Sequence, residues 1–148
     1  MSGAKLKDPS NTLQKAYYDR LNNAVQLNSV IVPVFDTVPA RQAPPFIVLN
    51  AFPGEENGTK SSYGSIHHAE LVIVTQYGAD EGGKKDSGNI LSAVQQLIVD
   101  KNAPLDLGDD FEAVTTTYEF STSSQVEVET GVQVTRLARF KHLIQQLT

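Results

Sequence analysis

The three histidines are the side chains of this sequence best suited to bind a metal ion or to transfer a proton near neutral pH. His67 and His68 are adjacent at the start of a predicted strand, so they point to opposite faces and cannot share one ion. His68 and Glu70 share a face and offer two ligands, whereas a catalytic zinc ion takes three protein ligands and a water. No sequence pattern identifies a third ligand, and His142 stands far away along the chain. We therefore predict no metal site.

Motifs for nucleophilic catalysis or phosphate binding are missing from the sequence. It has no cysteine and no G-x-S-x-G motif. The segment Gly78–Lys85 (GADEGGKK) resembles a phosphate-binding loop in composition only, because no Ser or Thr follows a Gly-Lys pair. The carboxylate pairs Glu55-Glu56 and Asp109-Asp110 fall in polar segments, where solvent keeps them ordinary acids. We predict no catalytic residue and no cofactor, with a small cytoplasmic enzyme or ligand-binding domain on the His68 and Glu70 face as the alternative.

Length and composition indicate one folded domain. The chain has 148 residues, 40% of them hydrophobic, and a net charge of −5, which excludes intrinsic disorder. We expect a single domain over residues 1–148, with residues 1–8 as a flexible arm that lacks the apolar core of a signal peptide. No apolar run approaches the roughly 18 residues of a membrane span. The acidic balance argues against general nucleic-acid binding.

Helix and strand signals in the first half are clear. Asp8-Pro9 is a typical helix start, and the apolar spacing that follows predicts a helix ending near Asn28. The β-branched run Val30–Phe35 predicts a strand, which Pro33 restricts to a sheet edge or a bulge. Phe46–Phe52 is the next predicted strand.

A polar segment, residues 54–65, predicts a loop or the tip of a long hairpin before a strong strand at Ile66–Tyr77. After a Gly-rich connection, Asp86 or Ser87 is a suitable cap for a helix whose apolar face is Ile90, Ala93, Val94, Leu97 and Ile98.

Further strands are predicted at Phe111–Phe120 and Val126–Glu129, separated by a turn at Ser121–Ser124. Residues 132–147 fit both strand and helix periodicity. This order predicts an α+β fold with a mainly antiparallel sheet, two helices packed on one face and a long hairpin loop.

Charge is distributed unevenly along the second half. Eight acidic residues and one lysine lie between Asp100 and Glu129, whereas Arg136, Arg139 and Lys141 are followed by no acidic residue. One interpretation is that these residues are solvated surface. The other is that they form opposed patches that meet between copies of the chain, since complementary charge sets the register between partners.

The pattern resembles the short tail-completion, or tail-terminator, proteins of long-tailed bacteriophages, over roughly Leu13 to Ile144. The similarity lies in a turn after the first strand, a Pro-Pro strand start, a polar loop, a strand, a helix and a last strand. The matching segments are Val34–Pro39, Pro44–Leu49, Ala69–Thr75, Asn89–Leu97 and Glu129–Gly131 with Arg136–Ile144. The resemblance favours a strand for the C-terminal segment.

A structural, non-enzymatic role is what the resemblance implies. Such proteins form a ring, commonly a homohexamer, at the head-proximal end of the tail tube, where they stop tube growth and bind the head–tail connector. The expected contacts are therefore the tail tube protein, the connector or stopper protein, and further copies, with DNA passing through the channel unbound and no membrane involved. Another head–tail joining protein, an adaptor or stopper, is the alternative within this class.

Candidate contact residues follow from this expectation. A ring needs a heterologous interface, in which one patch binds a different patch of the neighbour. The candidates for its two halves are Arg136, Arg139 and Lys141 against Asp106, Asp109 and Asp110. The candidate loop contacts to the tube or the channel are Glu55, Glu56, Lys60, Tyr63, Asp80 and Glu81, of which the acidic ones would repel DNA.

Overall fold

The structure, a computed structural model, describes residues 5–59, 62–78 and 83–148. Within these described residues, two helices and eight strands follow one another. They are α1 (Ser10–Leu21), β1 (Gln26–Leu27), β2 (Val30–Ile31), β3 (Val34–Phe35), β4 (Phe46–Ala51), β5 (Gly54–Glu56), β6 (Gly64–Tyr77), α2 (Lys85–Ile98), β7 (Phe111–Val128) and β8 (Gly131–Gln146). In this part of the chain neither helix is long and apolar enough to cross a membrane.

A six-stranded sheet forms the centre of the molecule. Its strand order is β3-β4-β6-β8-β7, and β5 pairs with β6 beyond the end of β4. The short β3 runs parallel to β4, whereas every other pairing is antiparallel. Strands β1 and β2 form a separate small hairpin. The predicted α+β fold with a mainly antiparallel sheet is confirmed.

Both helices cover the same face of this sheet. Alternate residues of β6 and β8 face the helices, because side chains of a strand alternate between faces. Ala69, Leu71 and Ile73 of β6 form one buried cluster with Phe140 of β8 and with apolar side chains of α1 and α2. The face covered by the helices is called the helix face below, and the opposite one the outer face.

The first helix is shorter than the sequence predicts. It ends at Leu21 and not near Asn28, and Asn23 just beyond it has a left-handed backbone, with φ of 61°. Asn28 and Ser29, with φ of 52° and 68°, form the tight turn between β1 and β2. Asn tolerates this conformation, which is why the sequence predicted Asn28 as the left-handed end of the helix. In the structure Asn28 instead closes a hairpin.

The predicted strand Val30–Phe35 is two short strands. Val30–Ile31 pairs with β1, and Val34–Phe35 pairs with β4 at the edge of the main sheet. Pro33 lies between them and has no N–H to donate, while its carbonyl accepts a hydrogen bond from Ile47 N at 2.9 Å. The edge position predicted from Pro33 is confirmed, but one continuous strand was wrong.

Helix α2 begins earlier than expected. Lys84 occupies the N-cap position and has no side-chain capping bond, so neither Asp86 nor Ser87 is the cap. Ser87 is buried in the first turn, and its hydroxyl donates to Lys84 O at 3.0 Å. The Ser87 hydroxyl therefore bonds to a carbonyl three residues earlier in the same turn.

Strand β7 is one continuous element, and the predicted turn at Ser121–Ser124 was wrong. Ser121 pairs with Ala138 and Ser124 with Thr135, within an unbroken ladder to β8. A Ser-rich stretch is a weak strand former on its own. Here β8 supplies its hydrogen bonds, so tertiary pairing overrides local preference. Residues 132–147, open on periodicity alone, lie almost wholly in strand β8.

The N-terminal residues that the structure describes contact the C-terminal strand. Lys7 N donates to Gln146 Oε1 at 2.9 Å, and Gln146 Nε2 donates to Lys5 O at 2.7 Å. The ammonium of Lys7 lies 3.5 Å from the Asp110 carboxylate. Residues 1–4 of the expected arm lie outside the described residues.

Candidate assembly surfaces

Arg139 lies at the centre of an ionic cluster on the outer face. Its Nε donates to Glu119 Oε1 at 3.1 Å, and its Nη1 lies 3.6 Å from Glu70 Oε2. His68 Nε2 lies 3.4 Å from the same Glu119 oxygen. The charge of Arg139, predicted to meet acidic residues of a neighbour, is therefore balanced by two carboxylates of its own chain.

The same cluster bears on the metal-site question. His68 and Glu70 lie on one face as expected, and Glu119 of β7 lies beside them. The Arg139 guanidinium, however, contacts the carboxylates of both glutamates. Over residues 5–59, 62–78 and 83–148, no group of three His, Asp or Glu side chains is placed to hold an ion.

Arg136 lies on the opposite face from Arg139. The two are three residues apart on one strand, and odd spacing places them on different faces. Arg136 Nε donates to Ser87 Oγ at 3.1 Å, and its Nη1 lies 3.4 Å from Ser121 Oγ. It therefore links the first turn of α2 to β7 within the subunit.

Lys141 is the exposed member of the three predicted basic residues. It pairs in register with His68, so it shares the outer face with Arg139. Its ammonium makes no ion pair within the described part of the chain. Of the three, it is the exposed cation with no carboxylate partner among the described residues.

The predicted acidic residues are brought together on the helix side. Asp106, Asp109 and Asp110 line a cavity of about 590 Å³ beside Asp19 and Lys15 of α1. Asp106 Oδ1 accepts a hydrogen bond from Gly108 N at 2.9 Å and so closes a local turn. The hydroxyl of Thr148 donates to Asp110 Oδ1 at 2.7 Å, and this bond, together with Lys7, lowers the pKa of that carboxyl. The acidic patch and Lys141 thus lie on opposite sides of one subunit.

The predicted loop contacts lie around the β5–β6 hairpin. Glu55 and Glu56 are exposed on β5. Tyr63 is half-buried, and its carbonyl accepts a hydrogen bond from Gln146 N at 2.9 Å. Lys60, Asp80 and Glu81 lie outside the described residues.

Two of the histidines are buried under α1. His67 pairs in register with His142 on the helix face, whereas His68 lies on the outer face, which confirms the predicted opposite orientations. Tyr17 Oη lies 2.5 Å from His142 Nε2, and Thr116 Oγ1 lies 3.1 Å from Nδ1. A neutral imidazole offers one donor and one acceptor, and each hydroxyl can take either role, so both nitrogens are satisfied.

Burial keeps these two imidazoles neutral. Removal from water lowers the pKa of His142 from 6.5 to about 4, with smaller contributions from His67 and His68. Burial is also the largest cause lowering the pKa of His67. It raises the pKa of Tyr17 well above 10. Tyr17 and His142 therefore link α1 to the sheet through a contact between two neutral groups.

Two features escaped sequence reasoning. Glu119 joins His68 and Arg139 only because β7 pairs with β8, and nothing local signals that contact. Strand β7 is paired on one side only within the described residues, which makes it a long sheet edge. The sequence of this strand has no Lys, Arg or Pro over 18 residues, and this absence indicates an edge without the usual protection against pairing.

The fold is a mainly antiparallel sheet covered on one face by two helices, and its candidate contact residues lie on different sides of that sheet. The sequence model of the family described as "Tail completion protein gp17" matches residues 15–137. The chain belongs to this family of phage tail proteins, and it is therefore a structural component of a virion tail.

Solved structures share the fold. One chain of the "Virion of native gene transfer agent (GTA) particle" superposes with a TM-score of 0.72 and 17% sequence identity. The match covers 95% of this chain and 99% of that one. No curated protein sequence matches this chain.

Proposed function

We propose that this protein forms a ring, with six subunits, at the head-proximal end of a phage tail tube. The ring ends tube growth and binds the head–tail connector. Membership of the tail completion family, over residues 15–137, is the observation that carries the proposal. A structural neighbour within a phage-like virion, aligned over nearly its whole length, supports the same assignment.

The placement of charge on the subunit supports a heterologous contact. Asp106, Asp109 and Asp110 lie beside α1, and Lys141 lies on the outer face of the sheet. Two unlike patches on different sides of one molecule suit a head-to-tail contact, which gives a ring when the rotation between neighbouring subunits closes. Each exposed ion pair is worth at most about 1 kcal/mol, so these pairs set register more than affinity.

We further propose that the acidic hairpin residues face the channel. Glu55 and Glu56 are exposed on β5, and carboxylates there repel the DNA backbone as the genome passes. Replacing both with Lys should slow DNA ejection, more strongly at low salt because screening weakens charge effects. An ejection rate that is unchanged at every salt concentration would exclude these residues from the channel wall.

Electron microscopy of particles without this protein tests the main proposal. Particles assembled without it should be tails of uncontrolled length that are not joined to heads. Adding the purified protein should restore particles in which head and tail are joined. Negative-stain images of the purified protein should show rings. Tails of normal length that fail only to join heads would instead favour the alternative, an adaptor or stopper protein of the connector.

Charge reversal tests the proposed contact. Lys141→Glu should weaken ring formation, and the additional change Asp109→Lys should restore it. Arg139→Gln is the matched control, since its charge is already balanced within the subunit. If Lys141→Glu leaves the rings intact, this charge pair lies outside the interface.

A further inference from the structure

The outer strand of the sheet, β7, has an unusually open edge. It pairs with β8 along Phe111–Val128 and with no other strand among the described residues. Register shifts occur near Val114 and Glu119, but from Ser121 to Val128 the ladder is regular. Its second half therefore presents a straight row of backbone donors and acceptors to a further strand.

The usual protection of a sheet edge is absent there. Edges are normally blunted by Lys, Pro, bulges or short length. The segment from Phe120 to Val126 has no Lys, Arg or Pro, and it exposes Phe120 by 43% and Val126 by 61%. An unprotected edge with exposed apolar side chains is typical of strand addition, in which a partner extends the sheet.

The small β1–β2 hairpin, outside the main sheet, carries a second exposed apolar pair. Val30 and Ile31, both residues of β2, are 63% and 46% exposed. Val32 and Pro33 separate them from β3, the strand at the other end of the sheet order. As neighbours on one strand they point to opposite faces, so each face of the hairpin exposes one β-branched side chain.

Charge favours a contact of β7 with β2 over a contact between two copies of β7. No Lys or Arg lies between residues 102 and 135, whereas Glu112, Glu127 and Glu129 are exposed, so two copies of β7 would repel each other. The loop between β3 and β4 carries exposed Arg41 together with exposed Asp36, so that edge is close to neutral and offers a cation.

We propose that β2 of one subunit docks onto the β7 edge of the next, with Val30 and Ile31 against the segment from Phe120 to Val126. The occupant of the β7 edge is thus a second copy of this chain. The inference rests on the proposed ring and names its apolar contact. Because the two edges differ, the contact is heterologous and repeats from subunit to subunit.

Two variants, each blocking one edge, test this contact. Val30→Ser combined with Ile31→Ser removes the exposed apolar pair of β2, and Val126→Lys places a protective cation on β7. All three side chains are exposed, so each variant should melt within a few degrees of the wild type. Leu147→Ser, which changes another exposed apolar residue away from both edges, is the control. Mass is measured by light scattering coupled to size exclusion.

Wild type and the control should form rings, and each edge variant alone should stay a single chain. An equimolar mixture of the two variants should give particles of twice the chain mass, because each contributes one intact edge. Rings that persist in either edge variant would overturn the edge contact while the ring proposal stands. Edge variants that dimerise alone would also overturn it. A wild type that stays a single chain at every concentration would refute the ring itself.

Discussion

Acidification should destabilise the fold through the buried imidazole of His142. The unfolded chain binds a proton at this residue below pH 6.5, whereas the folded chain resists protonation until the pH falls to about 4. Stability is therefore intact above pH 6.5 and is lost as the pH falls from 6.5 towards 4. Since each unit of pKa difference is worth about 1.4 kcal/mol, the full loss is about 3 kcal/mol. Between pH 7.5 and pH 5 we expect a loss of about 2 kcal/mol in unfolding free energy.

The variant His142→Gln removes this titration. It should be less stable than wild type at pH 7.5, because the side chain between Tyr17 and Thr116 is replaced. Its loss of stability between pH 7.5 and pH 5 should nevertheless be about 2 kcal/mol smaller than that of wild type. A remaining loss is expected from His67, whose pKa burial also lowers.

Urea unfolding followed by circular dichroism, at several pH values and one fixed protein concentration, measures both effects. Fixing the concentration matters because assembly adds stability by mass action. Leu147→Ser, which changes an exposed side chain and removes no titratable group, is the control and should keep the wild-type pH dependence. An equal pH dependence in wild type and His142→Gln would refute the reasoning.

Three further substitutions test the packing. Gly131→Ala should lower the free energy of unfolding in urea by more than about 1 kcal/mol, because φ is +147° and a Cβ would lie 2.0 Å from Tyr77 O. Gly88→Ala, with open space around it in α2, should instead raise that free energy by about 0.5–1 kcal/mol. Equal effects of the two substitutions would contradict this reasoning. Tyr17→Phe should cost about 1–3 kcal/mol at pH 7.5, since it leaves a buried nitrogen of His142 without a partner. An unchanged melting temperature in Tyr17→Phe would show that this contact does not contribute.

Local patterns were sufficient for the strongest elements. The apolar spacing from Ile90 to Ile98 predicted a helix that the structure contains, and the run Ile66–Tyr77 predicted the central strand β6. The α+β class followed from their order. Element ends were predicted less well, as the early end of α1 at Leu21 shows, because several residue types tolerate a helix end and tertiary contacts choose among them.

Sequence alone determined which residues share a strand face and which segments are apolar, since both depend on spacing along the chain. It also carried the similarity to tail-completion proteins, which the family match confirms. Only the tertiary structure decided that Ser121–Ser124 is strand, that Arg139 is neutralised by Glu119, and that His142 is buried beneath α1. Each depends on the register between strands far apart in sequence, and that register is set by packing of the whole sheet against the helices.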